Sequence, residues 1–213
     1  MNWLKKSLPL IFDRIHKVQT LEIPIFTLNT VLYPDSLLPL KIFEQRYMDM
    51  AKACMKDQLP FGVCLIQTGT EVGAPATPHA VGTLARIIGW DMPQLGILHI
   101  SARGEQRFLI EDSEAGANGL VRAQVHLITP ETAQSVPAEY AACQDVLHHI
   151  IEELGESHFA PLQMEDAAWV GYRLADALPI KPSAKQDLLE MNDSTTRLKI
   201  LLAFLKRQGL AEK

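Results

Sequence analysis

Two apolar runs, residues 21–26 and 37–43, each carry an internal proline, Pro24 and Pro39. Apolar runs of this length read as buried strands. A central strand cannot spare the N–H that proline lacks, so both strands belong at an edge, a bulge or a crossing point. Asn29, Pro34, Asp35 and Ser36 supply the turn between them. Residues 44–57 then follow with no linker as an amphipathic helix. Tyr47, Met50, Ala51 and Cys54 fall on one face, and Asp49, Lys52 and Lys56 on the other. A chain that enters a sheet, doubles back and passes straight into a helix is not built as a parallel βαβ array.

The alternation continues downstream. Residues 61–67 and 81–90 read as strands, with a Gly-, Pro- and Thr-rich loop over 68–79 between them. Residues 95–102 and 106–112 read as a hairpin around Gly104-Glu105. Asn118-Gly119 is a turn. Residues 120–128 alternate, with Val121, Ala123, Val125 and Leu127 on the inner face. Leu59-Pro60 closes the first helix. Six or seven strands with one inserted helix make a small barrel or folded sheet.

Past Pro137 the period changes from two to 3.6. Residues 138–154 and 164–178 form helices, stopped by Gly155 and Pro179. Pro182 starts a short third helix through Met191. Asp193 or Ser194 caps a last helix, in which Leu198, Leu201, Leu202 and Leu205 face inward while Arg197, Lys199, Lys206 and Arg207 stay in water. The fold class is therefore α+β. A 1–20 extension precedes a β-rich 21–130 subdomain and a helical 131–213 subdomain. Residues 1–20 combine Trp3, Leu4, Leu8, Ile11, Phe12 and Ile15 with four Lys/Arg. They read either as a membrane-surface or partner-binding segment or as an extension packed on the body. They are no convincing signal peptide, since Pro9 interrupts a short apolar core.

Charge narrows the function. Residues 21–130 carry eight basic and eleven acidic groups, and residues 131–213 carry eight and thirteen. Neither has the basic excess that phosphate contacts need, so nucleic acid is not an expected partner. Cys54, Cys64 and Cys143 form no CxxC pair, and Cys54 and Cys64 lie in apolar patterns, which fits buried thiols in a reducing cytoplasm. No apolar run reaches the length of a membrane span.

Catalytic signatures are lacking. There is no GxxxxGK[ST] phosphate loop, no Gly-x-Ser-x-Gly elbow and no paired-carboxylate pattern. His148-His149 with Glu152 has metal-ligand spacing on a helix, but the one further candidate, His158, lies across Gly155, so the group reads as a solvated face rather than a metal site. Cys64, between Val63 and Leu65, reads as a core thiol. No catalytic residue, metal site or cofactor is expected. Binding is the remaining chemistry. Trp90-Asp91-Met92-Pro93 reads as a loop in which an aromatic and a methionine make an adaptable patch. Phe43, Glu44, Arg46 and Tyr47 sit where strand becomes helix. Glu44 and Arg46 either line a peptide groove or serve the helix dipole and a local ion pair. Tyr47 either joins them or turns its ring inward. Arg107 reads as outward beside an inward Phe108. Asp at Leu40 or Phe43 is expected to unfold the protein.

The ordered motifs Ile23-Pro24-Ile25-Phe26, Val31-Leu32-Tyr33-Pro34, Leu38 through Tyr47 as LPLKIFEQRY, Val81-Gly82-Thr83-Leu84-Ala85-Arg86-Ile87 and Gly104-Glu105-Gln106-Arg107-Phe108 resemble the Lon substrate-binding domain family. The helical third continues the match through Lys185-Gln186-Asp187-Leu188-Leu189-Glu190, so it covers about residues 21–208. The resemblance implies a PUA-like pseudo-barrel followed by a helical bundle. It also implies a module that captures unfolded or tagged polypeptide for a protease. A Lon protease continues into ATPase and serine–lysine peptidase domains. A chain running to Lys213 is expected to be a free-standing Lon-like domain, not an enzyme, acting in protein quality control. Three other readings stay open: an adaptor for a separate protease or chaperone, an enzyme with an unrecognised site, and an RNA-binding PUA-like protein.

Overall fold

The computed structural model describes residues 20–211. The expectations for the amino-terminal extension fall outside them. Among the described residues there are seven strands: β1 Thr20–Leu28, β2 Leu37–Ile42, β3 Phe61–Thr68, β4 Thr77–Pro78, β5 Val81–Gln94, β6 Ile97–Ala115 and β7 Val121–Leu127. β1 pairs antiparallel with β7, β7 with β6, β6 with β5 and β5 with β3. β3 returns parallel to β1, which closes the ring. Its interior holds Ile23, Ile25, Cys64, Leu84, Phe108 and Val125.

The prolines lie where a missing N–H is tolerated. β1 pairs with β7 through Ile25 and with β3 only from Ile25 onward, so Pro24 sits at the change of neighbour. β2 pairs only with β6, so Pro39 is on an edge strand.

The expected hairpin at Gly104 is absent. β6 runs unbroken through it for 19 residues, and the turn lies at Leu95-Gly96, where Gly96 takes φ 85°. Gly104 answers a different need. A Cβ there would lie 2.1 Å from the Tyr33 carbonyl oxygen. The closeness lets the Asp35 N–H donate to the Gly104 carbonyl, and the Gly104 N–H to the Ser36 carbonyl, both at 2.9 Å.

Helix α1, Gln45–Asp57, buries Tyr47, Met50, Ala51 and Cys54 against β2, β5 and β6. Four further helices follow: α2 Ala141–Leu154, α3 Ala167–Ala177, α4 Pro182–Glu190 and α5 Ser194–Gln208. α3 starts later than its apolar pattern, because Asp166 caps it by accepting the Trp169 N–H at 2.8 Å. Asp193 caps α5 in the same way, through Thr196. Leu147, Leu174, Leu198, Leu201 and Leu205 are fully buried and share one core with Val31, Tyr33 and Leu65 of the β-rich part. The layers are thus fused, not merely linked.

Polar contacts reinforce the seam. The Tyr33 hydroxyl donates to the Lys185 carbonyl at 2.8 Å, and Ser36 Oγ donates to Asp176 Oδ2 at 2.7 Å while accepting from Arg173. Burial pushes the Tyr33 hydroxyl well above its ordinary range, and it lowers the Arg173 guanidinium against the pull of Asp176. Two arginines expected in water are buried instead. Arg197 is 0% and Arg107 3% exposed, and both turn to Glu131 in the linker. Their charges stay inside because a partner from a distant segment is there to meet them. Leu127, expected inward, is instead exposed near the end of β7.

Candidate functional site

The largest exposed apolar side chains of the β-rich part gather at one end of it. Past the ring, β5 and β6 continue as a ribbon, with Trp90 opposite Ile100 and Gln94 opposite Ile97, closed by Leu95-Gly96. β2 flanks the ribbon on the β6 side, ending at Ile42 opposite Leu98. Residues expected to form a loop, Trp90 to Pro93, are therefore strand. Trp90 is 64% exposed, Leu95 is 95% exposed, and Ile88, Met92 and Phe43 are exposed beside them.

Strand alternation sets which way each points. Opposed residues on paired strands share a face. Ile87 faces Ala102 and Trp90 faces Ile100, both core residues under α1. A register shift between Ile87 and Gly89 makes this parity possible. Trp90 thereby leans over the carboxyl end of α1. A cleft of about 310 Å³ lies between them, with Met55 and Leu59 on one wall and Ile87, Ile88 and Trp90 on the other. The opposite face of the same three strands carries an open depression of about 600 Å³ that includes Pro39, Lys41, Asp91, His99 and Ser101. Trp90 borders both.

The residues singled out from sequence divide. Phe43, Trp90 and Met92 are on the surface. Tyr47 is 4% exposed and stacks on Phe26 with ring centroids 3.9 Å apart. Arg46 is buried, donates to the Gly119 carbonyl at 2.9 Å and lies over the Tyr47 ring. Glu44 accepts from Arg46 at 3.0 Å and from the Gly73 N–H at 3.3 Å. Arg46 and Glu44 thus tie the start of α1 to two neighbouring turns, and Tyr47 packs inside. Sequence reasoning did not single out Met55, Leu59, Ile88 and Leu95. The signal that could have found the last two was Gly96, which marks the true turn and extends the ribbon to Leu95.

Phe43 corrects a stability expectation. At 58% exposed it is no core residue, so Phe43→Asp should melt within ~0.5 kcal/mol of the parent in a thermal or denaturant titration. Leu40, half-buried beneath α1, remains the disruptive position.

A second cavity, about 340 Å³, lies on the seam between Pro34, Gln106, Ile128, Pro130 and Trp169. Its charged core is occupied, while the buried Trp169 indole N–H has no partner. Glu131 accepts from Arg197 at 2.5 Å and from the Tyr172 hydroxyl at 2.9 Å. Arg107 donates to the Leu189 and Met191 carbonyls at 2.7 and 2.8 Å and to Asn192 at 2.6 Å. Groups that satisfy one another are not poised for proton or group transfer. The thiols are equally quiet. Burial pushes Cys64 far up and Cys143 to about 12, so both stay protonated at neutral pH. Exposed His148 meets only Glu152, at 3.3 Å, and among the described residues no three His, Cys, Asp or Glu groups are placed to hold a metal. No helix among them is long and apolar enough to cross a membrane.

Residues 22–207 match the family model of the ATP-dependent protease La (LON) substrate-binding domain. A Lon protease 2 of Herpetosiphon aurantiacus is 28% identical over 205 residues, covering 92% of this chain and 25% of that protein. A Lon protease of Phenylobacterium zucineum is 23% identical over 192 residues, covering 86% of this chain and 24% of its own length. The chain thus spans about a quarter of the curated relatives it matches. Among solved structures, a Lon N-terminal domain protein from Xanthomonas campestris superposes with TM-score 0.73 at 33% identity, over 86% of this chain and 98% of the other. The N-terminal domain of a Mycobacterium avium complex Lon protease shares the fold at TM-score 0.59 and 18% identity, over 86% of this chain and 97% of that one.

Proposed function

This chain belongs to the Lon substrate-binding domain family, and from that premise we propose that it is a non-enzymatic module that captures unfolded or extended polypeptide. The observation that carries the proposal is the apolar end of the β-rich part, where Phe43, Ile88, Trp90, Met92 and Leu95 are exposed together. Soluble proteins seldom leave such a cluster open unless it binds something. Methionine and tryptophan offer an adaptable, polarisable surface that tolerates varied side chains, as a receptor for unfolded segments requires. A role in protein quality control follows, with a protease or chaperone as the receiver of what is bound. The buried, unpaired thiols support a reducing, cytoplasmic setting. In this reading 21–130 carries the binding surface, and 131–213 is a helical brace fused to it through Tyr33, Arg107 and Arg197. An adaptor role through the helical part is the second reading. It would leave capture of unfolded chains independent of Trp90.

The test compares immobilised parent protein with a Trp90→Ser/Met92→Ser variant. The probe is a reduced, carboxymethylated globular protein, with its native form as control. Capture of the unfolded form alone is expected, and the variant should lose about tenfold in affinity at an unchanged melting temperature. Equal capture of folded and unfolded probe would remove the proposal.

A further inference from the structure

We infer that the bound segment adds as a β-strand to the open edge of β5, in the cleft between β5 and the carboxyl end of α1; this rests on the polypeptide-capture reading and specifies its mode. β5 has two unlike halves. Its first half pairs on both sides, with β6 and, through Thr83 to Ala85, with β3. From Arg86 onward its only strand partner among the described residues is β6, which it meets through Gly89, Trp90 and Asp91, with register shifts at Ile88 and at Met92-Pro93. The chain that would otherwise cover this edge, Gln58 to Pro60, turns away from α1 at Gln58, which takes φ 54°. What remains, beside the cleft, is a short backbone edge at Gly89 to Asp91 with no strand partner on that side. Such an edge complements one ligand above others, another extended backbone.

Three features separate this edge from the others. β5 has no proline before Pro93 at the ribbon tip, whereas Pro39 removes a donor from the β2 edge. A helix faces the β5 edge across the cleft, so an added strand would be held on one side by hydrogen bonds and on the other by Met55 and Leu59. Arg86 is the one charged side chain lining the cleft, and it is already neutralised. It donates to Glu105 at 2.5 Å and to the Gln58 carbonyl at 2.7 Å. No net charge is left for an ionic ligand. The preferred occupant is a strand that sets uncharged apolar side chains against Met55, Leu59 and Trp90 and leaves its alternate side chains in water.

The probe is a short, end-capped fluorescent peptide alternating leucine or valine with serine, together with two twins carrying N-methyl groups on either alternate set of residues. Each twin keeps every side chain and removes the N–H groups of one edge. Strand addition requires one twin to bind about tenfold more weakly than the parent peptide while the other stays within about threefold. It also requires slowed amide exchange at residues 88–92 when the peptide saturates the protein. Ile88→Glu and Leu59→Glu, both at exposed positions, should each weaken the peptide about tenfold without lowering the melting temperature. Two twins that lose binding alike, two that keep it, or exchange unchanged at 88–92 would overturn the inference. Trp90-dependent capture of the carboxymethylated protein would then still stand. Failure of that capture would remove the functional reading itself.

Discussion

Truncating Glu131 to alanine is expected to lower the unfolding free energy by about 3–5 kcal/mol, the usual result of removing one partner from a buried ion pair. Glu131 lies in the linker between the two parts and, among the described residues, is the only carboxylate meeting Arg197, which is fully buried. It also accepts from Tyr172, and it lies 3.8 Å from Arg107. Without it, two guanidiniums remain enclosed with uncharged partners only: the Leu188 and Met191 carbonyls and the Tyr172 hydroxyl for Arg197, the Leu189 and Met191 carbonyls and Asn192 Oδ1 for Arg107. Against a total stability of about 5–15 kcal/mol, a loss of this size brings the protein near its unfolding threshold at body temperature. A urea titration at neutral pH reads it directly. The double replacement Glu131→Leu/Arg197→Met, which removes the charges in a pair, should recover a large part of the loss. A Glu131→Ala midpoint equal to the parent's would mean that water reaches the site and that the seam is looser than its contacts imply.

The same node marks where reading the chain from sequence stops. Helical periodicity assigned Leu198, Leu201 and Leu205 to the core, and all three are buried. By the same logic it assigned Arg197 to water, because a charged side chain beside an apolar stripe is ordinarily solvated. What overrides the pattern is Glu131, 66 positions away, whose arrival beside α5 no local period encodes. Arg107 was misread for the same reason. The strands fared better, since alternation and proline placement are local signals, and Pro24 and Pro39 stand at a change of neighbour and on an edge. The proposed binding surface was legible in its chemistry but not in its shape. Trp90 and Met92 were recognisable as an adaptable pair beside Pro93. The cleft between β5 and α1 depends on a register shift at Ile87–Gly89 and a left-handed Gln58, neither of which has a sequence signature here. Arg46 and Tyr47 were drawn into the candidate set by proximity in sequence. Tyr47 belongs to the core cluster, and Arg46 lies over its ring and donates to the Gly119 carbonyl.

Gly104→Ala is expected to cost about 2–4 kcal/mol, from overpacking together with loss of backbone hydrogen bonds. Glycine at this position reads as a turn from sequence, and a turn would accept alanine at small cost. In the structure the added methyl would stand 2.1 Å from the Tyr33 carbonyl oxygen and 3.2 Å from Leu32 Cγ. The obstacle is main chain, so no rotamer change relieves it, and β6 or the 33–36 segment must move. That segment is pinned from both sides. Its backbone exchanges two hydrogen bonds with Gly104, and its side chains hold the helices through Tyr33 to Lys185 and Ser36 to Asp176. Displacing it opens the seam between the β-rich part and the helical brace, so the loss should appear as a lower melting temperature and as faster amide exchange in α3 and α4. The ribbon end, far along β6, should keep its exchange rates. A Gly104→Ala protein as stable as the parent would show that Tyr33 yields without loosening its helical contacts, and that the two layers are joined by their shared apolar core alone.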